Sequence, residues 1–289
     1  MHPLIESGGP VQVKALISES SQLNAAASSQ FGAPLLTGVV MGVALVTGGA
    51  KRIGAEICRT LVSNGHSVII HYRNSVEAAT ELSEELNKVA KAATIYADLE
   101  DSEQAKTLLD KAAKIFGPID ILINNASMFE YDNIDSLNID LFNRSIATNA
   151  LAPMLLIQGF AKQTLETQGC IINILDHKLE NPNPDYLSYT TSKTALAGLT
   201  EPLAIGLAPW VRVNGIAPGL TLPSPHASVS EFENLHDKTP LGRGATPRDI
   251  SEAVVFLIGA QAVTGQVLFV DGGERLHPRD TDVLYGRGE

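Results

Sequence analysis

A chain of 289 residues that is 44% hydrophobic and 18% charged can fill one substantial core, or at most two. Its 21 Lys plus Arg face 32 Asp plus Glu, a formal charge of −11 with no basic stripe or block. That excludes a nucleic-acid surface, and any local cations then point to a small anionic ligand. No uncharged apolar run reaches about 18 residues, so no transmembrane helix and no membrane partner are expected.

In chain order, residues 1–40 come first, rich in Ser, Ala, Gln and Gly with only Glu6, Lys14 and Glu19 charged. They fit neither a secretory signal nor a transit segment. They read as an N-terminal extension without a fold of its own, with Met41 as a natural start. The alternative is an added helix near 11–27. From Met41 apolar strand candidates alternate with helical stretches. The strands are Val43–Val46, Ser67–His71, Ala93–Tyr96, Ile119–Ile123, Cys170–Leu175, Val211–Ile216 and Gln266–Val270. The helical stretches lie near 52–64, 75–90, 102–116, 135–166, 188–208 and 247–259. This alternation predicts an α/β fold: a Rossmann-type, doubly wound, seven-stranded parallel sheet with helices on both faces, in one domain over 41–275. Ligands bind at the carboxyl ends of such strands. Residues 217–246, with four prolines, read as a long irregular insertion that forms a substrate lid. Residues 276–289 are a polar tail. Cys58 falls on the first helix and Cys170 at a strand start, so both are expected to be buried thiols in a reducing, cytoplasmic setting. The histidines form no metal-spaced set, and Trp210 reads as packing.

The chemistry-bearing residues fall on the predicted ligand edge. After the first strand, Thr47-Gly48-Gly49-Ala50-Lys51-Arg52-Ile53-Gly54 is a glycine-rich turn into a helix, suited to a pyrophosphate at the helix N-terminus. Arg52 stands where such loops usually keep glycine, so its cation must face the phosphates or the substrate. Asp98 follows the third strand and can accept from an adenine amino group. Asn124-Asn125-Ala126 follows the fourth strand. Asn149 lies inside the next helix, where it can hold a water between Lys193 and solvent. Tyr189 and Lys193 share a helix face at i, i+4 spacing, and the ammonium is expected to lower the tyrosine pKa toward that of a working general acid. Pro218-Gly219 follows the sixth strand. The second strand ends in Tyr72-Arg73-Asn74-Ser75 rather than in the acid that binds ribose hydroxyls in NAD sites. With Lys51, these two cations and a hydroxyl suit a 2′-phosphate, and hence NADPH/NADP+.

Over residues 41–275 these motifs resemble the short-chain dehydrogenase/reductase family. The resemblance implies that Tyr189 donates the proton, Lys193 binds the ribose and Asn149 supports a proton relay. Two departures, Arg52 for glycine and Asp176 for serine before the tyrosine, look like the pteridine reductase and dihydromonapterin reductase branch. So do His71-Tyr72-Arg73-Asn74-Ser75 and Asn124-Asn125-Ala126-Ser127-Met128-Phe129. The implied cofactor site takes in Gly48, Lys51, Arg52, Ile53, Tyr72, Arg73, Asn74, Ser75, Asp98, Leu99, Asn125, Ala126, Ser127, Tyr189, Lys193, Pro218 and Gly219. The implied pterin site is Arg52, Ser127, Phe129, Asp176, Tyr189 and Leu220, with Phe129 stacked on the pterin and Asp176 with Tyr189 supplying the proton. The function implied is reduction of a dihydropterin, and of dihydrofolate too, by a homotetramer. A carbonyl reductase of the same fold and a non-catalytic NADP sensor are the alternatives.

Overall fold

The computed structural model describes residues 41–163, 168–223, 229–277 and 282. The readings of residues 1–40, and of the tail beyond His277 except Asp282, lie outside the described residues.

Seven strands form one parallel sheet: β1 (Val43–Val46), β2 (Ser67–Tyr72), β3 (Ala92–Tyr96), β4 (Ile121–Asn124), β5 (Gly169–Ile174), β6 (Val211–Pro218) and β7 (Val267–Val270). Their order is β3-β2-β1-β4-β5-β6-β7, so the sheet grows one way from β1 and the other way from β4. That reversal opens a crevice past the strand ends between β1 and β4, where Val46 pairs with Ile123.

The apolar strands are buried on both faces, and strand parity sorts their side chains into two cores. Ala44, Val46, Val68, Ile70, Ile121, Ile123 and Ile172 enter one core. It is covered by α1 (Arg52–Ser63), α2 (Val76–Leu86) and α9 (Pro247–Gly259). Leu45, Ile69, Leu122 and Ile171 enter the other. It is covered by α3 (Ser102–Phe116), α5 (Ala152–Phe160) and α7 (Thr200–Leu207). Each fully buried Leu or Ile contributes about 1.5–3 kcal/mol, so the sheet is a rigid platform for whatever its edge presents.

Three helical expectations change. The single stretch near 135–166 begins only at α4 (Ile139–Ile146), where the Asn138 side chain caps the backbone N–H groups of Asp140 and Leu141. It then widens into a π-helical turn, Ala147–Leu151, before α5. The stretch near 188–208 is two helices, α6 (Leu187–Gly198) and α7, broken at Leu199. The irregular insertion contains a helix, α8 (Val229–Asp237). Trp210 is 76% exposed and packs into no core, contrary to expectation. Both cysteines are buried and free. Among the described residues, no helix is long and apolar enough to cross a membrane.

Candidate active site

A cleft of about 770 Å³ runs along the carboxyl ends of the strands. It is of the size used for small molecules and cofactors. Every residue expected at the site lines it except Asp98 and Asn149.

One half is built as a phosphate cradle. Gly48 has φ +60, in the left-handed region that glycine tolerates. A Cβ on Gly54 would collide with the Gly48 carbonyl oxygen, so the first turn of α1 packs directly under the loop. Asn125 Nδ2 donates to the carbonyls of Thr47 and Gly48 at 2.9 and 3.1 Å. Thr47 Oγ1 accepts from the backbone of Asn125 and Ala126. Thus the β1 and β4 ends are locked together. No side chain caps α1, so its first N–H groups and dipole face the cleft ready for an anion. Arg52 itself has φ +54. A side chain there costs on the order of 1–3 kcal/mol that glycine would avoid. The exposed guanidinium stands at the cleft beside Lys51.

The turn after β2 is more acidic than its sequence suggests. Arg73 Nη1 lies 2.5 Å from Glu100 Oε1 and 3.4 Å from Asp98 Oδ1. Asp98 Oδ1 also accepts from the Glu100 backbone. Its carboxylate therefore serves Arg73 and the chain rather than lining the cleft. Ser75 precedes α2 without capping it by its side chain. Asn74, Tyr72 and Leu99 complete this end.

The other half is acidic and aromatic. Tyr189, on α6, is 6% exposed and donates to Asp176 Oδ2 at 2.7 Å. Asp176 Oδ1 accepts from the Lys178 backbone, which fixes the carboxylate at the start of a short 3₁₀ turn. Burial, then the Asp176 charge, push the tyrosine well above its ordinary value. The expected lowering by Lys193 is therefore wrong. Lys193 Nζ sits 5.7 Å from the tyrosine ring centre and donates to the Ile174 carbonyl at 2.7 Å. A carboxylate at hydrogen-bond distance outweighs an ammonium beyond it. Burial in turn pulls Lys193 down to about 8.

Phe129 meets Tyr189 edge-on at 4.6 Å and stacks on Tyr186 at 4.1 Å and 12°. One Phe129 face is thus already covered, although the residue is 47% exposed. Asn149 is buried in the π turn. Its Oδ1 accepts from Met128 N at 2.7 Å, and its Nδ2 donates to Met128 O at 2.9 Å and to Ser192 Oγ at 2.9 Å. Its side chain pins the segment that carries Phe129. Its bonds join that segment to α6.

Three participants were not expected. His71 lines the cradle from β2. Buried Lys178 is ion-paired to Asp282 of the tail at 2.6 Å. Glu274 Oε2 accepts from Leu220 N at 2.8 Å, which anchors the chain just after β6. A lone histidine or acid carries no sequence signal of such contacts.

The chain matches the family described as "Enoyl-(Acyl carrier protein) reductase" over residues 48–274. It is 32% identical to pteridine reductase 1 of Leishmania tarentolae, across 81% of this chain and 96% of that protein. It is 33% identical to a 3alpha-hydroxysteroid dehydrogenase of Mediterraneibacter gnavus, across 81% of this chain and 96% of that protein. Among solved structures it is similar to FolM alternative dihydrofolate reductase 1 from Brucella suis in complex with NADP. That match has a TM-score of 0.79 and 36% identity, covering 83% of this chain and 97% of that one.

Proposed function

The chain belongs to the short-chain dehydrogenase/reductase family, and on that footing we propose that it is an NADPH-dependent pterin reductase, converting a dihydropterin, and dihydrofolate as well, to the tetrahydro form. The observation that carries this reading is the 2.7 Å hydrogen bond from Tyr189 to Asp176 in a cleft that also presents Phe129.

The residues present fit the cofactor. The left-handed Gly48, the close approach of Gly54 and the uncapped α1 N-terminus suit a pyrophosphate. Lys51, Arg73 and Ser75 would hold the 2′-phosphate, and Lys193 the ribose. When bound, the cofactor supplies the hydride.

Reducing a C=N bond adds a hydride to carbon and a proton to nitrogen. Tyr189 keeps its proton through the neutral range, because burial and Asp176 both oppose phenolate. The Tyr189–Asp176 pair therefore holds a proton between a buried phenol and a half-buried carboxylate and delivers it to the ring nitrogen. Phe129 offers its exposed surface to a flat heterocycle. Arg52 and Ser127 supply polar contacts at the rim, and Leu220 closes the site from the lid.

The test is NADPH oxidation by the purified chain with a panel of dihydropterins, dihydrofolate and simple ketones. Turnover of the dihydropterins well above that of the ketones is expected. Preference for ketones would replace this reading with a carbonyl reductase, a class the hydroxysteroid dehydrogenase relative represents. Binding without turnover would indicate an NADP sensor.

A further inference from the structure

His71 is the fifth residue of β2, follows the apolar run Val68–Ile70, and is 2% exposed. A buried imidazole is costly unless its ring nitrogens are matched. Here both are. Nδ1 lies 3.0 Å from the Gly48 N–H, and Nε2 lies 3.1 Å from the Ala97 carbonyl oxygen. The amide can only donate and the carbonyl can only accept. The ring must then be neutral, with the proton on Nε2 and the lone pair on Nδ1. Burial agrees with this assignment, drawing the ring down to about 4 against the weaker opposing pulls of the Ala97 bond and the Asp98 charge.

The same residue holds the next loop amide through its backbone. Gly49 N–H donates to the His71 carbonyl at 2.9 Å. Two successive N–H groups of the glycine loop therefore end on one residue. The Gly48 carbonyl is held from the opposite side by Asn125. A left-handed glycine, the most mobile kind of residue, is gripped by its N–H and by its C=O.

We propose that His71 is a positioning residue for the phosphate cradle: as the neutral Nε2–H tautomer it fixes Gly48 in its left-handed conformation and ties the glycine loop to the end of β3, so that the pyrophosphate meets a preorganised loop. An imidazolium would turn an N–H toward the Gly48 N–H and break the tether. The inference rests on the cleft taking NADP(H), but not on the pterin reading.

Two measurements test it. In the first, the whole chain with ¹⁵N-labelled histidine is followed by NMR. The His71 ring should keep the Nε2–H pattern, with an unprotonated Nδ1, from neutral pH down to about 5. Titration near the ordinary histidine range, or a proton on Nδ1, overturns the proposal. In the second, NADPH and 2′-AMP affinities are compared in three variants. 2′-AMP lacks the pyrophosphate. His71→Leu removes both ring contacts. His71→Gln can reach Ala97 but not serve Gly48. His71→Asn can present an oxygen to Gly48. The Leu and Gln variants should bind NADPH about tenfold or more weakly and 2′-AMP within about twofold of the parent, and the Asn variant should recover most of the loss. Unchanged NADPH affinity in a folded Leu variant overturns the proposal, as does an equal loss for both ligands. If the Leu and Gln variants do not fold, the parent's tautomer decides. If the parent binds no NADPH at all, the cofactor reading fails while the tautomer result stands by itself.

Discussion

At the residue scale the proposed proton chemistry turns on three side chains within one small volume. If Tyr189 is the donor proposed above, Tyr189→Phe should cut steady-state turnover by about 10²-fold or more. Unimpaired turnover would remove the tyrosine from the chemistry. Asp176 makes the other half of the pair. Serine can steady a ketone oxygen but cannot hold the shared proton, so Asp176→Ser should impair dihydropterin reduction more than any side reduction of ketones. Equal effects on both would return the chain to the carbonyl reductase class. Lys193 carries a pH dependence whose sign follows from its burial. Its ammonium is lost as pH rises through about 8 in the free protein. A bound dinucleotide adds anionic charge, which favours the ammonium and raises that pKa. NADPH should therefore bind with proton uptake just above pH 8, and bind more weakly as pH rises further. Calorimetry in buffers of different ionisation heat reads the uptake, and Lys193→Met should abolish it. Phe129→Ala should cost roughly 1 kcal/mol of pterin binding and leave NADPH affinity intact. That loss will include whatever the Phe129–Tyr186 stack contributes to holding the surface in place.

At the element scale the proposed reading puts cofactor choice on the β2–α2 turn, and here the ion pairs alter a simple count of cations. Arg73 is shared between Glu100 and Asp98. A 2′-phosphate must compete with those carboxylates for the guanidinium. Arg73→Asp should weaken NADPH by about 1.5–3 kcal/mol. Glu100→Gln should strengthen it by releasing the arginine. Titrating both variants with NADPH and NADH tests this, and equal use of the two cofactors by the parent would sink the assignment. Elements of this kind also show what the sequence can carry. The seven strands were legible because parallel strands buried on two faces must be continuous apolar runs, as in Val43–Val46. The edge residues were legible because strand-end positions of a doubly wound sheet converge. The π turn at Ala147–Leu151 was not legible, since a single widened turn within a helical stretch has no residue signature of its own. Nor was the direction of the Tyr189 shift. The i, i+4 lysine is a local signal, whereas Asp176 reaches the phenol only through the β5–α6 fold. Arg73 shows the same limit, since its partners come from the far side of β3.

At the scale of the whole molecule, the sheet gathers the ligand groups on one edge and leaves apolar surface on its flank. Ile139 of α4, Leu151 of the π turn and Met154 of α5 are 67%, 40% and 41% exposed. Ala195 and Gly198 of α6 are exposed as well, and a Cβ on Gly198 would meet nothing within 4 Å. Scattered apolar residues need no explanation, but several on elements that pack together, beside residues small enough for close helix approach, are what an association surface would present. In a homo-oligomer such surfaces pair with their own copies about a two-fold axis. We therefore expect a homo-oligomer, most readily a tetramer with three mutually perpendicular two-fold axes. Light scattering at micromolar concentration should give a multiple of the chain mass, and a monomeric mass would refute it. Leu151→Glu together with Met154→Glu should shift the assembly toward monomer, because a charge buried in an apolar contact without a partner is strongly unfavourable. The π turn and α6 carry both this flank and the Asn149 and Tyr189 side chains. Dissociation should therefore lower turnover before it lowers NADPH affinity, whose cradle lies at the far side of the cleft on β1, α1 and β2. If the double variant became monomeric yet kept full activity, the flank would serve assembly alone and the site would be complete in one chain.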